Sequence, residues 1–132
     1  MVSAAAKGAA GVEGIMLQTG KAVKVSIYLS EGSRHHSTAS EAVILDYLLR
    51  NEVTGASVFK GVAGFGVDHH VHSASFVELS DHLPVKVEFI ETQEKVDELM
   101  GKLMELAGTG MIEVQETTVV KASSRLKAEK AG

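Results

Sequence analysis

Histidines are the side chains of this sequence best suited to bind a metal ion, and four of the six lie in one segment. His69, His70 and His72 stand close together, and His82 follows further along. His70 and His72 would share one face of an extended segment, a spacing that can bring two imidazoles to one metal. Because the chain has no cysteine, the other ligands would be carboxylates such as Asp68. The alternative is a polar loop whose histidines are simply solvated.

A glycine-rich segment follows a β-prone run, with Gly61, Gly64 and Gly66 around Phe65. Glycine lets the backbone approach a ligand closely or adopt a positive φ angle. The segment therefore predicts either a ligand contact or a bulge and turn. It is neither a dinucleotide fingerprint nor a P-loop, because no GxGxxG opens a helix and no GK[ST] occurs.

A polar segment with a cationic side chain, residues 30–36, lies just ahead of a predicted helix. It contains hydroxyl groups, a glycine, Arg34 and His36. The amino terminus of a helix favours an anion, and charge-assisted hydrogen bonds from a guanidinium strengthen that preference. We expect either an anion site or an ordinary polar connection here.

Catalytic machinery is not indicated by any spacing in the chain. No serine stands in a GxSxG turn, and no spacing pairs two carboxylates for acid–base chemistry. Serine and histidine occur together in the loops, but no pattern orients a base towards a nucleophile. We therefore predict that the protein is not an enzyme.

Composition narrows the class of protein further. The 132 residues are 45% hydrophobic and 23% charged, with a formal net charge of −4. This length predicts one domain, and the acidic balance argues against a nucleic-acid partner. No apolar run approaches the roughly 18 residues of a membrane span, so we expect no direct membrane insertion. The absence of cysteine is consistent with a cytoplasmic location.

Hydrophobic periodicity predicts the elements that position these residues. Alternation or β-propensity indicates strands at 23–29, 56–63, 84–89 and 112–120, with a further short apolar run at 76–79. Thr38 and Glu41 have the spacing of a capping box ahead of a first helix. A second helix is predicted from an N-cap at Thr92 to Gly108.

This β-α-β-β-α-β order predicts a ferredoxin-like α+β sandwich with both helices on one face of an antiparallel sheet. The other face, which would include Tyr28, is bare, so we expect copies of the chain to cover it. We predict a flexible tail at residues 1–20, the folded domain at residues 21–121 and a basic flexible tail at residues 122–132. Docking of Ile15, Met16 and Leu17 on a partner surface is the alternative for the first tail.

Several motifs read together resemble those of the PII signalling proteins. They are Thr54-Gly55-Ala56-Ser57-Val58, Gly64-Phe65-Gly66, and Leu83-Pro84 leading into Lys86-Val87-Glu88. The chain is more similar still to the short, mostly uncharacterised PII-like group. That likeness rests on Ile27-Tyr28-Leu29-Ser30-Glu31 and on Gly61 to Gly66 followed by His72-Ser73. It covers roughly residues 21–121.

The resemblance implies a homotrimer that binds an adenine nucleotide in clefts between subunits. The residues at the matching positions are Ser57, Gly64, Phe65, Gly66 and Glu88. The phosphate loop Gly-Asp-Gly-Lys of PII proteins is absent, since Ile112-Glu113-Val114-Gln115-Glu116 stands there. AMP or ADP is therefore expected rather than ATP, with Arg34 and His36 contacting the phosphate.

The resemblance also implies a regulatory function. Nucleotide binding would be coupled to the 67–82 loop, which would signal to a protein partner, either a membrane transporter or an enzyme. The loop residues expected to contact that partner are Asp68, His69, His70 and His72. The alternative is a metal-binding trimer that uses His69, His70 and His72 in metal sensing or tolerance.

Overall fold

The structure is a computed structural model and describes residues 16–30, 34–35, 38–66, 71–73 and 83–123. The first part of the chain forms β1 (Gly20–Ser30), β2 (Arg34–His35), β3 (Thr38–Ala39), α1 (Ser40–Arg50) and β4 (Ala56–Lys60). The second part forms β5 (Ala63–Gly64), β6 (His72–Ser73), β7 (Pro84–Glu91), α2 (Gln93–Ala107) and β8 (Met111–Val119). The apolar run at 76–79, predicted as a further short strand, lies outside the described residues.

The main sheet has the strand order β4-β7-β1-β8, and every neighbouring pair is antiparallel. Helix α2 packs on β1 and β8, α1 packs on β7 and β4, and the two helices contact each other. The predicted ferredoxin-like α+β fold is thus confirmed. Neither helix of the described part is long and apolar enough to span a bilayer.

The core lies between the helices and one face of the two central strands. Burial alternates along β7, where Val85, Val87, Phe89 and Glu91 are at most 2% exposed and the residues between them are half-buried. The register sets each buried β7 residue opposite a buried β1 residue: Val85 and Leu29, Val87 and Ile27, Phe89 and Val25. The helices cover this face with Ile44, Leu48, Val96, Leu99, Leu103 and Leu106. Burying each such side chain contributes about 1.5–3 kcal/mol.

The helix ends show which of the capping residues predicted from the sequence cap a helix in the structure. At α2, the Thr92 hydroxyl accepts a hydrogen bond from the Lys95 backbone N–H at 3.1 Å, and Gly108 ends the helix with φ +57°. Both predictions for α2 are confirmed. At α1, the N-cap is Ala39 and no side chain caps the helix, so the predicted capping box is wrong. The reason is that Thr38 is held as a strand residue in β3, paired with His35.

A matched pair of substitutions in α2 tests this core. Leu103 is fully buried, whereas Met104 beside it is 59% exposed. We expect Leu103→Ala to lower the free energy of unfolding by about 2–5 kcal/mol, because it leaves a cavity between α2 and the sheet. Met104→Ala should change it by no more than about 0.5 kcal/mol. Urea denaturation of both variants measures the difference, and equal losses would contradict the position of the core.

Candidate functional site

A cavity of about 460 Å³ lies beside β4 and β7, at the edge of the sheet face that the helices leave uncovered. We call this uncovered side the bare face; the alternation of β1 and β7 turns Lys24, Glu88 and Ile90 towards it. The lining residues are Leu17, Lys24, Thr54, Gly55, Ala56, Ser57, Glu88, Phe89 and Ile90. The site is therefore built by the start of β4, the end of β7 and one lysine of β1.

Two residues expected to contact a ligand meet in this cavity. Ser57 of β4 and Glu88 of β7 are direct partners across the strand pair. Directly opposed residues of an antiparallel pair have Cβ atoms about 4.5–5.5 Å apart, so one ligand can reach both side chains. A hydroxyl both donates and accepts hydrogen bonds, whereas an ionised carboxylate only accepts them.

Two lysines surround the Glu88 carboxylate. The Lys24 Nζ atom lies 3.6 Å from Glu88 Oε2, and the Lys86 Nζ atom lies 3.7 Å from Oε1. Lys86 also stands over the Phe59 ring, 5.2 Å from its centroid, in a cation–π contact. Both lysine side chains are about one-third exposed, so each ion pair contributes only about 0–1 kcal/mol.

A buried carboxylate fixes the position of Thr54, which lies at the rim of the cavity. Glu91, at the end of β7, is 2% exposed. Its Oε2 atom accepts hydrogen bonds from the Thr54 backbone N–H at 2.7 Å and from the Thr54 hydroxyl at 2.8 Å. Its Oε1 atom accepts from the Thr92 backbone N–H at 3.3 Å. Glu91 therefore fixes the turn into β4 and joins it to the start of α2.

Packing explains why glycine stands at two positions of residues 61–66 but not at the third. A Cβ atom on Gly61 would lie 2.8 Å from Pro84 Cγ, and one on Gly64 would lie 3.0 Å from the same atom. Both glycines therefore let this segment pack against the start of β7. A Cβ atom on Gly66 would meet nothing within 4 Å among the described residues. None of these glycines has a positive φ, so that part of the sequence interpretation is wrong.

The remaining predicted site residues do not line the cavity or fall outside the described residues. Arg34 is an exposed residue of β2, paired with Ala39. Gly64 pairs with His72 across β5 and β6, and Phe65, next in the chain, is 65% exposed. The candidates outside the described residues are His36, Asp68, His69 and His70. Within the described part of the chain, no three His, Asp or Glu side chains lie close enough together to hold a metal ion.

On the bare face, a side-chain hydrogen bond also joins β1 to β8. The Tyr28 hydroxyl donates a hydrogen bond to Glu113 Oε1 at 3.1 Å, and this contact with a carboxylate raises the pKa of Tyr28. Tyr28 is 37% exposed, in agreement with its predicted place on the uncovered face.

Sequence reasoning missed Lys24, Thr54 and Leu17 as cavity residues. It also missed Glu91, which holds Thr54. The alternation around Val23 and Val25 does place Lys24 on the bare face. This alternation does not show that Glu88, on β7, lies close enough to Lys24 to form an ion pair. Leu17 was considered only as part of an apolar segment that could dock on a partner, and no local pattern places it in the cavity.

Comparison with known proteins shows that the chain matches one protein family and several relatives in sequence. The model of the family DUF190, described as "Uncharacterized ACR, COG1993", matches residues 22–119. A UPF0166 protein of Methanocaldococcus jannaschii is 31% identical over 105 residues, covering 79% of this chain and 96% of the relative.

Solved structures of CPII, a nitrogen regulatory PII-like protein from Thiomonas intermedia K12, have the same fold. The structure bound to ADP, AMP and bicarbonate has a TM-score of 0.56 and 18% identity, covering 78% of this chain and 97% of that chain. The structure bound to ADP and bicarbonate has a TM-score of 0.57 and 19% identity, covering 80% and 94%. The fold that the likeness to PII-like proteins implied is therefore confirmed.

The hydrogen bonds of Glu91 lead to a testable difference between two substitutions of Thr54. Thr54→Val keeps the shape of the side chain and removes the hydroxyl that donates to the buried carboxylate. We expect it to lower the free energy of unfolding by about 1.5–3 kcal/mol, the usual contribution of a hydrogen bond to a charged group. Thr54→Ser keeps the donor and should cost less than about 1 kcal/mol. Urea denaturation measures both, and a Val variant as stable as the Ser variant would show that the hydroxyl bond is not needed.

Proposed function

The chain belongs to the DUF190 family, and from this premise we propose that it is a PII-like regulatory protein, not an enzyme, that binds AMP or ADP. The observation that carries the proposal is the cavity beside Ser57 and Glu88 in a chain with the fold of CPII. The CPII structures contain ADP, and one also contains AMP.

The chemistry of the cavity suits an adenine nucleotide. Its volume of about 460 Å³ lies within the usual range of small-molecule sites, about 300–1,000 Å³. Ala56 and Ile90 offer apolar surface to the flat faces of a purine. Ser57 and Glu88 offer hydrogen-bonding groups to its polar edge, and Lys24 offers a cation to a phosphate.

The bare face supports a homotrimer in which a neighbouring subunit completes the cavity. Tyr28, Phe59 and Met111 all lie on this face and are 37%, 50% and 59% exposed. Three large side chains on one uncovered sheet face are typical of an interaction surface. We propose that copies of the chain cover it, so that the nucleotide lies between subunits.

Signalling would pass through residues 67–82. Gly64, three residues before this loop, pairs with His72 inside it. A nucleotide contacting residues 64–66 would therefore act on the base of the loop. Regulation requires that the ligand bind one loop state more tightly than the other. The partner would be a membrane transporter or an enzyme, contacted through Asp68, His69, His70 and His72.

The decisive experiment titrates the purified chain with adenosine, AMP, ADP and ATP by calorimetry, and separately with Zn²⁺. We expect micromolar binding of AMP and ADP and weaker binding of ATP. Light scattering should give three times the chain mass of 14.0 kDa. A monomer would contradict the intersubunit cleft. Tight stoichiometric zinc binding without nucleotide binding would replace this proposal with the metal-binding trimer of His69, His70 and His72.

The glycine segment generates a prediction that separates binding from folding. Gly66→Val adds a side chain where the described residues leave open space, so the melting temperature should stay unchanged. If the nucleotide approaches the backbone there, AMP affinity should fall about five- to a hundredfold, the effect of a steric conflict of about 1–3 kcal/mol.

Gly61→Ala provides the contrast, because its Cβ atom would collide with Pro84. It should lower stability. Gly101→Ala, on the exposed side of α2, should raise the free energy of unfolding by about 0.5–1 kcal/mol, because alanine is the better helix former, and should leave binding unchanged. Unaltered AMP affinity in Gly66→Val would remove the proposed backbone contact.

The phosphate contact proposed for Arg34 predicts a difference between two ligands. Arg34→Ala should weaken ADP by about ten- to a hundredfold, the contribution of a charge-assisted hydrogen bond of roughly 1.5–3 kcal/mol. Adenosine, which has no phosphate, should be almost unaffected. Arg50→Ala is the matched control, since Arg50 is an exposed arginine paired with Asp46 in α1. Equal effects on ADP and adenosine, or none, would exclude Arg34 and leave Lys24 as the cation that contacts the phosphate.

A further inference from the structure

One residue of the cavity comes from outside the residues that the family model matches. The DUF190 match begins at residue 22, and β1 begins at Gly20, yet Leu17 lines the cavity. We infer that the segment before β1 completes the ligand site and that Leu17 forms an apolar wall for the base of the bound nucleotide. This inference rests on the proposed function, whose ligand it places.

The course of the chain shows that the segment folds back. Leu17 precedes Lys24 by seven residues, and both line the same cavity. A strand rises about 3.3 Å per residue, so a straight continuation of β1 would separate the two by about 23 Å. On β7 the cavity is lined by only three consecutive residues, Glu88 to Ile90, and Ile90 is the strand partner of Lys24, so the cavity does not extend about 23 Å beyond Lys24 along β1. The chain must therefore reverse between Leu17 and Lys24.

Gly20 is where the backbone permits this reversal. Its φ is +114°, a conformation that residues with a Cβ atom rarely adopt. A Cβ atom there would meet nothing within 4 Å, so the reason for glycine is the backbone angle and not packing. The turn at Gly20 brings the preceding residues towards the bare face.

Burial along the segment singles out one side chain. Leu17 is half-buried, whereas Met16, Gln18 and Thr19 are exposed. Leu17 thus adds an apolar side chain to a cavity that already contains Ala56 and Ile90. The charged groups of the cavity, Lys24 and Glu88, form an ion pair with each other. An apolar wall suits the face of a base, not a hydrated phosphate.

This assignment predicts how affinity depends on the ligand. Leu17→Ser should weaken adenosine, AMP and ADP by the same factor, about five- to tenfold, because the lost contact is with the base. Leu17→Met keeps an apolar side chain and should remain within about twofold of the unaltered chain. Met16→Ser is the matched control: Met16 is the neighbouring apolar residue, it is 42% exposed, and it does not line the cavity.

Calorimetric titration of the full chain and its variants distinguishes the outcomes. Absence of any adenine-nucleotide binding by the unaltered chain refutes the proposed function, and the placement of its ligand with it. Nucleotide binding that is equal in the unaltered chain, Leu17→Ser and Met16→Ser overturns the role of Leu17 alone. A loss for ADP but not for adenosine also overturns it, because the contact would then be with the phosphate.

Gly20→Ala tests the turn separately from the side chain. We expect the same fold loss of affinity as for Leu17→Ser, since a strained backbone angle would displace the segment from the cavity. The double variant should lose no more than either single variant, because both remove the same contact. Losses that multiply in the double variant would contradict this shared origin.

Discussion

The pairing register of β1 with β7 is the constraint on which both the core and the cavity depend. It sets three buried residues of one strand opposite three of the other, all no more than 8% exposed. A slip of either strand by one residue would turn its own three apolar side chains away from the core. It would bury Lys24 if β1 slipped, or Lys86 and Glu88 if β7 slipped. Burying unpaired charges costs several kcal/mol each, so the alternative registers are strongly disfavoured. The register that builds the core also sets Glu88 opposite Ser57 and beside Lys24.

The same alternation buries the Glu91 carboxylate, a group that must accept hydrogen bonds to be stable there. As the residue after Phe89 and Ile90, it falls on the core face, where a charge needs hydrogen bonds. Thr54 supplies two and the Thr92 backbone supplies one. A group that is costly to leave unpaired thus ties the rim of the cavity to the start of α2. The position of the rim follows from satisfying Glu91, not from apolar packing alone.

The sequence predicted the elements whose causes are local and missed features whose causes are distant. Strand alternation and the Thr92 cap depend on neighbouring residues, and both were confirmed. The capping box failed because pairing in β3 overrode the local spacing of Thr38. Gly61 and Gly64 marked a special segment, but their reason, contact with Pro84, lies some twenty residues along the chain. In the site, the family resemblance found Ser57 and Glu88, whereas Leu17 depends on a chain reversal that no periodicity records.

The pair of lysines around Glu88 bears on how the bare face would accept an anionic ligand. With a single lysine, a phosphate that drew the ammonium away would leave the carboxylate without a partner, at a cost that rises as an interface excludes water. Here Lys24 can turn from Glu88 to an anion while Lys86 stays 3.7 Å from the other carboxylate oxygen. The exchange is inexpensive, because a partly exposed ion pair of this kind contributes only about 0–1 kcal/mol. Lys86 also lies 5.2 Å from the Phe59 ring centroid, a second contact that favours its position beside Glu88. The proposed ligand and a surrounding subunit could therefore both approach this face without leaving a buried charge unpaired.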